Sequence, residues 1–235
     1  ELRAMPSRMP TAARELRGLF LSPLAWTLLA VTQARLAWIF VIRVNDFQSP
    51  QGRLAGLEHA PGVTDLVTAP LFRVAAWALL LLTPLLTMRS FSEERRTGTL
   101  DLLLSAPVSA TEIVLGKYLG VLTFLLGMIA LTALMPLALT TGAAFDGGKL
   151  LAGLLGLGLL AASGAAAGLY LSSLTAQPLA AATATLGLLL AFWIVDMAGA
   201  GQGAISPVFA YLSLPRHNDA LLLGLLVVGT GAVHR

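Results

Sequence analysis

The sequence predicts an all-α, polytopic membrane protein with six transmembrane helices, and three observations carry that class. Of 235 residues, 57% are hydrophobic and 11% charged, whereas a soluble domain is nearer a quarter charged and about half apolar. The charges are also clustered: none falls between Tyr118 and Phe145, and none between Leu150 and Val195. A bilayer core takes about 20 apolar residues as helix, so the first gap holds one span and the second holds two with a turn between them. Cysteine is absent, which excludes a disulfide framework, a thiolate nucleophile and a cysteine metal site.

The elements follow in order within a single transmembrane domain, residues 1–235. Residues 11–21 are expected to form an amphipathic helix lying in the membrane interface, with Leu16, Leu19 and Phe20 on one stripe and Arg14 and Arg17 toward headgroups; a basic tail is the alternative. Glu1 in place of methionine points to a trimmed N-terminus, and no cleavable signal pattern precedes the first span. That span, residues 24–44, carries Gln33 and Arg35 near its middle. Residues 45–69 read as a water-facing loop with turns at Ser49-Pro50, Gln51-Gly52 and Pro61-Gly62.

The second span is residues 71–88, with Arg73 at its outer end and Pro84 as a kink. Residues 89–112 are the most charged stretch. The third span, 113–141, reaches a hairpin at Phe145-Asp146-Gly147-Gly148, and the fourth, 150–171, turns through 172–178 into the fifth, 179–195. A sixth is expected over 219–234. Its apolar part, 220–233, falls short of a core about 30 Å thick at 1.5 Å per residue, which points either to a trimmed C-terminus or to residues missing from this part of the sequence.

Lysine and arginine are retained on the cytoplasmic side. With six spans and the N-terminus inside, nine of these residues are cytoplasmic and five are opposite, so both termini and the 89–110 segment are expected in the cytoplasm. Nucleic acid is not the expected partner, because 13 of the 15 basic residues are arginines scattered at helix ends rather than gathered in a patch.

Capping chemistry parses the charged stretch. Ser90 with Glu93 fits a capping box, Gly98 closes that short helix, Thr99 caps a second through Ser105, and Ser109 with Glu112 opens the third span. The second short helix carries Leu100, Leu103 and Leu104 on one side, while Glu93, Glu94, Arg95, Arg96 and Asp101 stay wet. Such a pair suits a partner's groove; a solvated interfacial loop is the other reading, and the residues alone leave both open.

The run from Pro84 to Leu119, with Arg-Ser-Phe-Ser-Glu-Glu-Arg-Arg-Thr-Gly-Thr-Leu, then Ser-Ala-Pro-Val-Ser and Val-Leu-Gly-Lys-Tyr-Leu-Gly, resembles the permease subunits of type-2 ABC exporters. The branch it looks most like is that of the gliding-motility and nitrous-oxide-reductase-maturation permeases. The resemblance covers roughly residues 12–215 and implies a bacterial inner-membrane subunit that couples ATP hydrolysis elsewhere to export, or to a mechanical change across the membrane. It implies that 89–110 is the coupling loop, with Arg89, Glu93, Glu94, Arg95, Gly98, Thr99, Leu100 and Leu103 facing the ATPase. Its implied partners are two ABC ATPase subunits, a second permease copy forming a homodimer, the lipid bilayer and a periplasmic accessory protein. This chain would bind no cofactor, leaving ATP and magnesium to the ATPase.

The remaining signals are weighed on their chemistry. Neither Gly116-Lys117 nor Gly148-Lys149 completes the glycine-rich phosphate loop, so the chain itself is not expected to be an enzyme. Gly116 with Gly120 and Gly164 with Gly168 have the spacing that brings helix backbones close, within one bundle or between permease copies. Arg35 is the most costly residue at about 3 kcal/mol in mid-membrane. It is expected to face a protein interior or an aqueous cavity, with Gln33 or Asp196 beside it, as part of a substrate route; bonding to carbonyls or snorkelling is the alternative. A passive channel or scaffold is the rival class. An intramembrane serine protease using Ser163 is remote, because His59, His217 and His234 all lie in loops or at the end.

Overall fold

The computed structural model describes residues 23–48, 64–98, 109–139 and 147–199. These form six α-helices and one π-helical turn, with no strand among the described residues: α1 (Pro23–Gln48), the π turn (Thr64–Thr68), α2 (Ala69–Thr87), α3 (Ser92–Thr97), α4 (Ala110–Leu137), α5 (Gly147–Leu174) and α6 (Pro178–Gly199). The expected interfacial helix at 11–21 and the sixth span at 219–234 lie outside the described residues.

Among the described residues, four helices are long and apolar enough to cross a membrane: α1, α2, α4 and α5. The apolar stretch of α6, Pro178–Ile194, is shorter. α1, α5 and α6 outrun the spans expected for them at both ends, because the apolar stretch marks the bilayer core while the backbone ladder continues into the flanks; α2 and α4 start earlier than expected but stop at Thr87 and Leu137, one and four residues short of the expected ends. The start of α4 is set by its cap: Ser109 is extended at φ −70°, ψ 145° and its side chain accepts from Glu112 N. Glu112 Oε2 reaches back to Ser109 N at 3.2 Å, completing the expected capping box.

α2 is the central strut. Leu71, Ala75, Leu79, Leu82 and Leu86 recur at helical spacing on its buried side, with Phe72, Ala76, Thr83 and Thr87 beside them. Against it stand Val121, Phe124, Leu125 and Met128 of α4 and Leu157, Ala161 and Ala165 of α5, forming one core cluster. Lipid tails are as apolar as these side chains, so close packing and small residues hold such a bundle together. A Cβ added at Gly168 would stand 2.9 Å from Thr87 Cβ, and one at Gly164 would stand 3.4 Å from Thr83 Cγ2. The Gly164/Gly168 pair therefore joins α5 to α2 within one chain. Gly116 and Gly120 are buried along α4.

The threonines opposite these glycines are chemically quiet. Thr83 Oγ1 donates to Leu79 O at 2.7 Å and Thr87 Oγ1 to Thr83 O at 2.8 Å, so neither leaves a hydroxyl orphaned in the core. Pro84 and Pro136 each sit in the last turn of their helices, where the missing N–H breaks the ladder close to its end.

Two expectations are corrected here. The stretch 64–68 was expected in a water-facing loop, yet it forms the π turn with Val67, Thr64 and Thr68 buried. The Ser90–Glu93 capping box is also absent: α3 begins at Ser92, after Phe91. Ser90 N instead donates to Thr87 O at 3.1 Å, closing a tight turn off α2.

Candidate functional site

The most charged segment folds as an elbow where α2 ends and α3 begins. Met88 N donates to Pro84 O at 2.9 Å, and the chain turns through Met88–Phe91 into the short α3. The cap that α3 lacks in its own sequence comes from α5. Ser172 Oγ, fully buried, accepts from Phe91 N and Ser92 N at 3.2 Å each and itself donates to Met88 O at 3.3 Å. Two amide donors that a helix start would leave orphaned are thus satisfied by one hydroxyl. Ser92 Oγ also donates to Met88 O.

The charges of α3 follow its dipole. Glu93 and Glu94 lie in the first turn and Arg95 and Arg96 in the last. Gly98 closes it with φ 71°, a left-handed conformation that glycine adopts without penalty, and its N–H donates to Arg95 O at 3.3 Å. That closure matches the sequence expectation.

The two adjacent carboxylates point to different environments. Glu93 is exposed, 4.0 Å from the Arg89 guanidinium, a solvated pair worth at most about 1 kcal/mol. Glu94 turns inward, and Lys117 Nζ of α4 donates to its Oε1 at 2.7 Å. Lys117 is 4% exposed and Glu94 24%. The ammonium also lies 5.2 Å from the centroid of the Phe91 ring, within cation–π range. Phe91 packs with Ile113, Leu169 and Tyr118 in a cluster of its own. Beside it opens an apolar groove of about 500 Å³ lined by Phe91, Val114, Tyr118, Leu169, Tyr170 and Ser173.

Arg89, Glu93, Glu94, Arg95 and Gly98 are thus brought together on the elbow, with Arg95 and Arg96 exposed beside Glu93. Thr99, Leu100 and Leu103, and with them the second short helix, lie outside the described residues. Sequence reasoning missed Lys117 and Ser172 as parts of this site. Lys117 carried a signal: a lysine two turns inside an apolar helix requires a partner, and the nearest carboxylates before it in sequence are Glu112, Asp101, Glu94 and Glu93.

Gln33 and Arg35 occupy different faces of α1. Gln33 Nε2 donates to Met128 O at 2.9 Å and to Thr132 Oγ1 at 3.2 Å, tying α1 to α4. Arg35 is exposed on the outer surface, where Val31 is 69% and Trp38 70% exposed. Arg35 does not share the inward face of α1, where its neighbour Leu36 is 1% exposed. Ser163 makes an ordinary helical back-bond, its hydroxyl donating to Leu160 O at 3.1 Å. No metal-binding group of His, Asp or Glu occurs among the described residues; the three histidines lie outside them.

No curated protein matches the chain. Residues 19–225 of the 235 match the model of a family described as ABC-2 family transporter protein.

Proposed function

The chain belongs to the ABC-2 transporter family and is a multi-pass membrane transport subunit, and from that premise we propose that its elbow is the surface through which a separate ATPase drives it. The observation that supports this reading is the contrast within α3. Its outer side offers Glu93, Arg95 and Arg96 to solvent, while its start is bolted to α5 by Ser172 and its inner side to α4 by Glu94. A displaced partner would therefore move the bundle rather than a loose loop. Coupling of this kind requires the elbow to bind two ATPase states with different free energy.

In the full reading, the permease pairs with a second copy in a bacterial inner membrane, both termini and the elbow are cytoplasmic, and two ATPase subunits carry ATP and magnesium. Resemblance of the elbow motif to the gliding-motility and nitrous-oxide-reductase-maturation branch favours export or a mechanical task, with a periplasmic accessory protein receiving it. Arg35, exposed on α1, would then line the dimer axis and favour an anionic group on the substrate route.

The test is charge reversal on the outer side alone. The variant Glu93→Lys with Arg96→Glu, co-expressed with its ATPase partner, is expected to fold as wild type and to lose the permease-stimulated part of ATP turnover. Unchanged stimulation by the well-folded variant would remove the docking role from α3.

A further inference from the structure

Glu94 and Glu93 stand side by side in sequence, yet only Glu93 is turned to solvent. Glu94 is held inside by a lysine two turns into α4, with 2.7 Å between nitrogen and oxygen, and that lysine lies over the face of Phe91. A charged pair closed into an apolar seam is costly to separate, because each partner left alone would keep its desolvation cost and lose its attraction. Movement of α3 away from α4 is therefore opposed far more strongly than its sliding in water would be. Ser172 adds neutral hydrogen bonds to α5 at the start of α3, so the elbow is gripped by both neighbouring helices at different points.

We propose that Lys117 and Glu94 form the joint that carries displacement of the elbow into α4, and that Glu94 is a positioning residue acting inward rather than an ATPase contact. This inference rests on the coupling role proposed above and deepens it: docking falls to the outer side of α3, and transmission to its inner side. The Phe91 ring completes the joint by filling the seam between Ile113 of α4 and Leu169 of α5.

The experiment uses the complex of permease and ATPase in nanodiscs, with Lys117→Met, Glu94→Gln and Lys117→Arg. Because the chain has no cysteine, a single label pair can be placed at Thr97→Cys and Leu119→Cys, both exposed positions, without background. In the wild type the spin-label distance between elbow and α4 is expected to stay in one narrow distribution with and without ATP. Lys117→Met and Glu94→Gln are expected to broaden it and to reduce stimulated turnover about tenfold, while ATPase affinity changes less than about twofold. Lys117→Arg, which keeps the charge, is expected to restore both. If Lys117→Met does not fold, Glu94→Gln, at a partly exposed position, carries the measurement.

The proposal is overturned if either neutral variant keeps a narrow distance and full stimulation, or if Glu94→Gln weakens ATPase binding as much as reversal of Glu93 and Arg96 does. Failure of the wild-type chain to bind any ATPase would sink the function proposed above. The joint would still be judged, because the distance distribution in permease alone reads it directly.

Discussion

A single hydroxyl fastens the start of α3 to α5. Ser172 Oγ serves Phe91 N, Ser92 N and Met88 O at once, and the N-cap residue of α3 itself is Phe91, which has no capping side chain. Replacing it with alanine strands two buried donors, at about 1–3 kcal/mol for each left unsatisfied. Ser172→Ala is thus expected to lower the resistance of the purified permease to chemical unfolding by more than an ordinary surface change. It should also speed amide exchange at Phe91 and Ser92 above that of α2, so equal protection of those amides in wild type and variant would show that the hydroxyl is dispensable. The same logic separates the residues that sequence could read from those it could not. Gly98 and the Ser109–Glu112 box are local devices, legible because every partner lies within a few residues. Ser172 acts across 80 residues of sequence, and nothing near either end announces it.

At the scale of helices, α2 and α5 make the most extensive pairing among the described residues, and their approach is set by small residues meeting threonines. The two glycines are not equivalent. At Gly164 an added methyl would find Thr83 Cγ2 at 3.4 Å, ordinary contact, whereas at Gly168 it would stand 2.9 Å from Thr87 Cβ, which no rotamer change can move. Gly168→Ala is expected to cost about 1–3 kcal/mol through forced separation of the helices, and Gly164→Ala much less. The comparison is made by unfolding both variants in the same detergent, and equal effects would contradict the packing described. Sequence spacing found both glycines but left open whether they join one bundle or two copies, because the small-x-x-x-small pattern does not name its partner helix. The span positions were legible for a different reason: charge gaps and apolar windows report the bilayer directly. Burial of the 64–68 turn was not legible, since Thr64 and Thr68 are polar and only tertiary contact with α1 and α2 shows that they pack.

At the scale of the whole molecule, one span is left uncovered by the described residues. Among the described residues, only 11% of the apolar stretch of α1 is buried, against 56% for that of the α2 segment and 44% for those of α4 and α5. Exposed leucines on α4 and α5, such as Leu126 and Leu155, can face lipid without cost. Arg35 cannot, because an arginine near the middle of a span is penalised by about 3 kcal/mol or more unless protein or water receives it. A second copy meeting the outer face of α1 would supply both, covering Trp38 and Val31 and enclosing Arg35 beside an aqueous route. Closed twofold assembly places the same face of each protomer at the axis. In membranes, Trp38→Cys is therefore expected to form a crosslinked dimer with a short bifunctional maleimide, while Leu155→Cys, equally apolar and exposed on α5, is expected to stay monomeric. Absence of crosslinked product at Trp38, with dimers still recovered by gentle extraction, would place the axis on another helix and leave Arg35 to snorkel along the lipid face instead.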